Sequence, residues 1–160
     1  MSKEIKAKGC PSCGRGGRRV SALTLSSQLT EEAQGHLASA EGYSFCPNSD
    51  CEVSYFGSVT FTVRDVQVFI FQKSDDPKRL ACYCFGHSVE EIEQEILKTG
   101  ASSIPIAIRD NCKKGLDECE KNNPQGSCCL GNVSRVVKNA QASADKESQE
   151  SCCSTSEIRK

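Results

Sequence analysis

The sequence predicts an α+β protein, with an antiparallel sheet lobe held by metal ions, then a small helical lobe and a flexible C-terminal tail. Twelve of the 160 residues are cysteine, whereas only 37% are hydrophobic and tryptophan is absent. Alternating apolar residues dominate the first half of the chain, and helix start and stop signals dominate the second. A small domain with so few apolar residues needs disulfides or metal ions to stabilise it.

The N-terminal sequence distinguishes between these two kinds of cross-link. MSKEIKAKGC is basic but lacks the apolar stretch of a secretory signal, and the apolar run VQVFIF is far too short to cross a membrane. We therefore expect a cytoplasmic protein, where closely spaced cysteines are more often metal ligands than disulfides. The formal net charge of −1 gives no reason to expect nucleic acid or membrane insertion.

Four cysteines in the first half have the spacing of a structural zinc site. Cys10 and Cys13 form a CxxC before a glycine-rich stretch, and Cys46 and Cys51 form a CxxxxC with turn residues between them. Four thiolates suit tetrahedral zinc and leave no open coordination position, so the expected role is to stabilise the fold rather than catalysis. The alternative is two unrelated pairs of loop cysteines.

Strand patterns fill most of the predicted zinc-binding β lobe, residues 1–76. Extended segments are predicted at residues 20–25, 53–57, 59–63 and 66–70. A turn at Arg64–Asp65 would join the last two into a hairpin or meander. One short helix is predicted after Thr30, which precedes two glutamates, and His36 within it is not expected to bind metal.

Residues 77–140 show the start and stop signals of three helices. Ser88 begins a capping box with Glu91, and Gly100 is a natural stop. A second helix is predicted between Ser102 and Gly115, and the third opens near residue 128. This pattern predicts a helical lobe that follows the polar linker at residues 74–78.

Five cysteines of this lobe stand in a loop or near a helix start: Cys82, Cys84, Cys119, Cys128 and Cys129. The spacing of Cys82 and Cys84 predicts that both sulfurs lie on one side of an extended segment. Free amides and the dipole at a helix N-terminus stabilise thiolate and sulfide charge. The arrangement therefore favours an anionic metal cluster held by four of these five cysteines.

Residues 141–160 are polar and rich in Ser, Glu and Lys, which predicts a flexible tail. Within this tail Cys152 and Cys153 are adjacent. They are a candidate transfer pair for Cu(I) or Hg(II), because thiolates select soft metals. The alternative is that these two cysteines have no role.

Together, the CxxC, FCPNSDCEVSYF, CYCF and NPQGSCCLG motifs resemble the cysteine-rich N-terminal part of CopZ-type copper chaperones, over about residues 8–138. The later motifs also resemble the 2Fe–2S domain of bacterioferritin-associated ferredoxins. The resemblance implies a zinc ion on Cys10, Cys13, Cys46 and Cys51, and a 2Fe–2S cluster on Cys82, Cys84, Cys119 and Cys129, with Cys128 as the alternative fourth ligand. Cys112 has no counterpart, and the sequence contains no MxCxxC copper loop.

The resemblance and the tail imply a metallochaperone-like protein that handles copper or mercury, with the cluster as a one-electron donor or redox sensor. The alternatives are a small 2Fe–2S electron carrier without metal cargo and a purely structural two-metal module. A metal-transporting ATPase or another redox or metal protein is the expected partner. Enzyme activity is not expected, because phosphate-loop and hydrolase motifs are missing. The glutamates between Glu90 and Glu95 are expected to form a solvated helix face.

Overall fold

The computed structural model describes residues 9–154, with side chains described as far as residue 146, and confirms the α+β class. One four-stranded antiparallel sheet has the order β1-β2-β3-β4, and β5 and β6 form a separate hairpin. The strands are β1 (Arg18–Arg19), β2 (Ser44–Phe45), β3 (Val53–Phe56), β4 (Thr60–Thr62), β5 (Leu80–Cys82) and β6 (His87–Ser88). The helices are α1 (Ala22–Gln28), α2 (Glu31–Gln34), α3 (Val89–Thr99), α4 (Ile104–Lys113), α5 (Cys119–Asn122) and α6 (Leu130–Ser154).

The extended segment predicted at residues 20–25 is wrong, because α1 begins there. The Ser21 hydroxyl accepts a hydrogen bond from the Thr24 amide at 3.2 Å, which caps the helix and outweighs the β preference of the apolar residues. The short helix expected after Thr30 is confirmed as α2, with Thr30 as its N-cap. Both helices pack Leu25 and Ala33 into the core of the N-terminal lobe.

The hairpin predicted from residues 59–63 and 66–70 is also wrong. β4 pairs with β3 instead, and Val66 makes only an isolated bridge to Leu29. The Asp65 carboxylate accepts hydrogen bonds from the amide and the hydroxyl of Thr62, at 2.8 and 3.3 Å, and so closes a 3₁₀ turn directly after β4. This turn directs the chain away from the sheet before a second strand can form.

The three predicted helices of the second lobe are present as α3, α4 and α6. Ser88 caps α3 through the Glu91 amide, and Gly100 ends it with a φ of +79°, a conformation that costs glycine little. Glu95 is an exception to the expected solvated face, because its carboxylate accepts hydrogen bonds from the hydroxyls of Ser102 and Ser103, both at 2.6 Å. It therefore links α3 to the start of α4.

The chain around Cys82 and Cys84 is a hairpin loop rather than a continuous extended segment. β5 ends at Cys82, which pairs with His87, and residues 83–86 form a turn in which Gly86 has a φ of +73°. The extended segment expected for these two cysteines is therefore wrong. The hairpin nevertheless directs both cysteines towards the helical core, where Cys82 is buried and Cys84 packs against its edge.

The flexible tail expected from residue 141 is helical in its first part, because α6 continues to Ser154. Between residues 139 and 154 the chain has no glycine or proline, and eight of the sixteen residues are Ala, Gln, Glu or Lys, which are good helix formers. Residues 155–160 lie outside the described part of the chain. Across residues 9–154 none of the helices combines the length and the apolar character needed to cross a bilayer.

Candidate metal centres

The first centre gathers the four cysteines with zinc-site spacing. The sulfur atoms of Cys10, Cys13, Cys46 and Cys51 all lie within 4.8 Å of one another. Two of the distances are 3.8 Å, from Cys10 to Cys51, and 3.6 Å, from Cys13 to Cys46. Sulfurs around a tetrahedral zinc ion with Zn–S bonds of about 2.3 Å are about 3.8 Å apart. The donor set and its dimensions therefore fit a closed zinc site.

Short backbone hydrogen bonds shape the two loops that present these thiols. The Gly14 amide donates to the Cys10 carbonyl at 2.8 Å, and a φ of +76° at Gly14 lets the first loop turn back on itself. In the second loop the Cys46 amide donates to the Ser54 carbonyl at 2.9 Å, which fastens this cysteine to β3. One pair thus sits on a turn, and the other lies in the loop between β2 and β3.

Amide donors and one lysine favour negative charge at this centre. The Arg15 amide and then the Asn48 side chain lower the pKa of Cys13 to about 6, whereas burial raises the pKa of Cys46 to about 12. Lys73 Nζ donates to the carbonyls of Asn48 and Cys51 at 2.6 and 2.9 Å. A metal cation that replaces the thiol protons would therefore bind thiolates that are already oriented and whose negative charge is partly balanced by these donors.

The second centre brings together the four cysteines that the resemblance implies as cluster ligands. Cys84 Sγ lies 3.3 Å from Cys119 Sγ, and the Cys129 thiol hydrogen-bonds to the Cys82 sulfur. Cys82, Cys119 and Cys129 are buried, and Cys84 is half-buried. Cys128, the alternative ligand, is exposed. The structure thus places Cys129, and not its neighbour, against Cys82.

The interaction between Cys82 and Cys129 lowers the pKa of one thiol and raises the pKa of the other. The hydrogen bond from Cys129 lowers the pKa of Cys82 to about 6, and the same bond together with burial raises the pKa of Cys129 above its usual range. Burial also raises the pKa of Cys119 to about 12. These thiols repel one another's charge, so that a metal centre is a better occupant of the site than several free thiolates.

Backbone amides point at the sulfurs of the second centre. The Glu118 amide donates to Cys84 Sγ at 3.3 Å, and the amides of Phe85 and Cys129 favour the charged forms of Cys82 and Cys119 respectively. Cys129 stands immediately before α6, and its carbonyl accepts the Val133 amide at 3.0 Å. Sulfur held by amide donors at a helix start is the environment in which anionic sulfur is stabilised.

Side chains of the N-terminal lobe hold the loop between Cys119 and Cys129. Thr24 Oγ1 donates to the Glu120 carbonyl at 2.5 Å, Gln28 Nε2 to the Lys121 carbonyl at 2.7 Å, and the Tyr55 hydroxyl to the Pro124 carbonyl at 2.5 Å. We call this set of three hydrogen bonds the loop clamp. The sequence analysis did not predict this clamp, although Thr24 and Gln28, which are both buried, stand four residues apart and so share one face of α1.

The remaining cysteines and histidines are not members of the two groups of four. His87 Nδ1 is 3.2 Å from a Glu91 carboxylate oxygen, and Cys112 is half-buried on α4. His36 follows α2 and has no metal-site neighbours among the described residues. Cys152 and Cys153 fall near the end of α6, and their side chains are outside the part of the chain whose side chains the structure describes.

The fold and the two groups of thiols define a cysteine-rich α+β metal-binding protein. Residues 7–67 match the model of a family described as a zinc binding domain, of the CopZ type. The chain is similar to the X-ray structure of the Archaeoglobus fulgidus CopZ N-terminal domain, with 25% identity and a TM-score of 0.66. The match covers 80% of this chain and 96% of that one. Comparison with curated proteins gave no match.

Proposed function

We propose that the protein is an iron–sulfur- and zinc-binding, metallochaperone-like protein that handles a soft metal, copper or mercury. Cys10, Cys13, Cys46 and Cys51 would hold zinc, and Cys82, Cys84, Cys119 and Cys129 a 2Fe–2S cluster. The main support is the arrangement of the second group as two close sulfur pairs under a CopZ-type zinc lobe. The likeness to the CopZ N-terminal domain supports the same assignment.

The second group fits a two-iron centre better than a single ion. Among the described residues, only the first four cysteines form a set in which every sulfur lies within 4.8 Å of the others. The second group offers two separate pairs, Cys84 with Cys119 and Cys82 with Cys129. A 2Fe–2S cluster takes four thiolates, and when bound it supplies a one-electron redox centre. Burial of three of the four sulfurs would shield it from solvent, while the half-buried Cys84 would leave one edge near the surface.

The soft-metal part of the proposal rests on thiol chemistry at the end of α6. Cys152 and Cys153 are adjacent in the sequence, and two neighbouring thiolates suit a low-coordinate ion such as Cu(I) or Hg(II). The cargo metal would be taken up there and passed to a metal-transporting ATPase or another redox or metal protein in the cytoplasm. No role as an enzyme is proposed.

Metal analysis of protein purified without oxygen tests the proposal. We expect about two iron atoms and one zinc ion per chain, with visible absorption that bleaches reversibly on addition of dithionite. A colourless preparation that contains zinc but no iron, and that cannot be reconstituted with iron and sulfide, would contradict the cluster assignment. Absorption that is lost irreversibly on reduction would instead favour a purely structural module.

A second candidate is a small 2Fe–2S electron carrier without cargo, for which the second group of four thiols alone would be sufficient. The double variant Cys152→Ser/Cys153→Ser separates the two functions. Under the metallochaperone proposal it should lose Cu(I) binding, measured by competition with a chromophoric chelator, and keep its iron and zinc. Cys112→Ser, which removes one half-buried thiol from α4, is the control. Unchanged Cu(I) affinity in the double variant would favour the electron carrier.

A further inference from the structure

A surface groove of about 390 Å³ lies beside the hairpin loop that presents Cys82 and Cys84. Its lining includes Arg64, Lys78, Arg79, Val68, Phe69 and Tyr83. We call it the basic groove. A second recess of about 270 Å³ shares Val68 and Tyr83 with it and adds Lys121 from α5. The two recesses therefore form one surface that extends from the turn after β4 to the helix that begins at Cys119.

The charge in the basic groove is of one sign. Its lining contains three cations and no acidic side chain. Within the described residues the only ion pair is His87–Glu91, so none of the three cations is neutralised by a carboxylate. The nearby carboxylates bind backbone instead: Asp65 accepts from Thr62, and Asp76 accepts the Lys78 amide at 2.8 Å.

Arg79 has unused hydrogen-bonding capacity in this groove. Its Nη1 donates to the Asp76 carbonyl at 2.9 Å, and its guanidinium lies over the Phe71 ring, 5.4 Å from the centroid. Its Nε–H is buried and has no hydrogen-bond partner among the described residues. A buried donor without a partner costs free energy, and the planar guanidinium that carries it is suited to bind a carboxylate through its other N–H groups.

Large apolar side chains are exposed next to these cations. Phe69 is 57% exposed and Val68 38%, and both belong to the apolar run that failed to form a strand. Aromatic and arginine side chains together are the composition of protein-binding surfaces, where an apolar anchor is surrounded by charge. The groove therefore suits an occupant with both carboxylates and an apolar side chain.

Tyr83 connects the basic groove to the second centre. Its hydroxyl donates to the Phe69 carbonyl at 2.5 Å and accepts the Phe71 amide at 3.1 Å, which fastens the apolar run to the hairpin loop. Cys82 and Cys84 are its two neighbours in the chain. An occupant that touches Tyr83 is thus one residue away from two of the four paired thiols.

We propose that the basic groove is the docking site for an acidic segment of a partner protein that also inserts an apolar side chain beside Phe69. Nucleic acid fits less well, because the whole chain has a net charge of −1 and the patch holds only a few cations. That the partner exchanges electrons or metal with this protein rests on the proposed function; the preference of the groove for an acidic segment does not.

Binding of a labelled peptide to the full-length protein as purified tests the proposal by fluorescence anisotropy. The probe is a short peptide rich in Glu and Asp around one Phe, compared with the same peptide carrying Gln and Asn instead and with a single-stranded oligonucleotide. The double variant Arg64→Glu/Lys78→Glu reverses the charge of two exposed side chains in the groove. The matched control, Lys98→Glu/Lys113→Glu, makes the same charge change on α3 and α4, outside the groove lining.

We expect saturable binding of the acidic peptide that weakens with added salt and falls at least about tenfold in the groove variant, but less than about twofold in the control. Equal losses in both variants, tighter binding of the oligonucleotide, or no saturable binding would overturn the proposal. Metal analysis of the same preparation separates the two hypotheses. If iron-free protein binds the peptide, only the cluster assignment is contradicted. If iron-loaded protein does not bind the peptide, only the docking proposal is contradicted.

Discussion

Replacing Cys46 with serine is expected to abolish zinc retention and to unfold most of the N-terminal lobe. Cys46 is fully buried, and its amide joins the metal loop to β3 through the Ser54 carbonyl. Structural zinc supplies about 10–16 kcal/mol of binding free energy in small zinc domains, which equals or exceeds the total stability of a typical domain, about 5–15 kcal/mol. Zinc content and the midpoint of urea unfolding measure the effect.

The matched control for this experiment is Cys112→Ser. Cys112 is half-buried on α4 and is not one of the eight paired thiols, so its replacement should leave zinc content unchanged and shift the unfolding midpoint only slightly. Cys46→Ser should also lower the iron content, because the loop clamp that shapes the loop between Cys119 and Cys129 belongs to the unfolded lobe. Normal zinc content in Cys46→Ser would contradict the assignment of the first centre.

The second prediction concerns the fourth ligand of the second centre. Cys129 is the expected ligand, and the adjacent Cys128 serves as the control. Cys129→Ser is expected to lose most of the iron and the visible absorption, because Cys129 is only 1% exposed and its sulfur contacts Cys82. Serine oxygen is a harder and poorer ligand for iron than thiolate. Cys128→Ser is expected to keep both, since Cys128 is exposed to solvent. Iron content and visible absorbance of the two variants, purified side by side, provide the measurement.

Two outcomes would contradict this assignment. If Cys128→Ser loses iron and Cys129→Ser retains it, the start of α6 must rotate on metal binding and exchange the two side chains. If both variants keep their iron, the fourth ligand lies elsewhere in the chain. Zinc content should stay the same in either variant, which shows whether an effect is confined to the second centre.

Much of the fold could be predicted where the signal is local. The cap at Ser88 and the stop at Gly100 mark α3 correctly, because a capping hydroxyl and a left-handed glycine act within a few residues. The cysteines of the first centre could be grouped from their spacing and from the chemistry of zinc. The prediction for residues 20–25 failed because the capping hydrogen bond of Ser21 begins a helix there and outweighs the β preference of the apolar residues.

Other features depend on contacts between distant parts of the chain. Spacing could not decide whether Cys128 or Cys129 is the fourth ligand. The two residues are adjacent, and only the conformation of the chain before α6 leaves one exposed and the other buried. The hydrogen bond from Tyr55 to Pro124 joins residues 69 positions apart, and neither carries a local signal for it. The polarity of residues 141–154 predicts a flexible tail, whereas half of the residues from 139 to 154 are good helix formers and α6 continues to Ser154.

The loop clamp sets an order in which the two centres can be assembled. The main-chain carbonyls of Glu120, Lys121 and Pro124 take their positions from three side chains of the domain that zinc stabilises. Under the proposed function, maturation would therefore be hierarchical, because a newly made chain deprived of zinc would lack the folded lobe whose side chains position this loop. A chain deprived only of iron would still fold its first lobe and could bind the cluster at the second centre later.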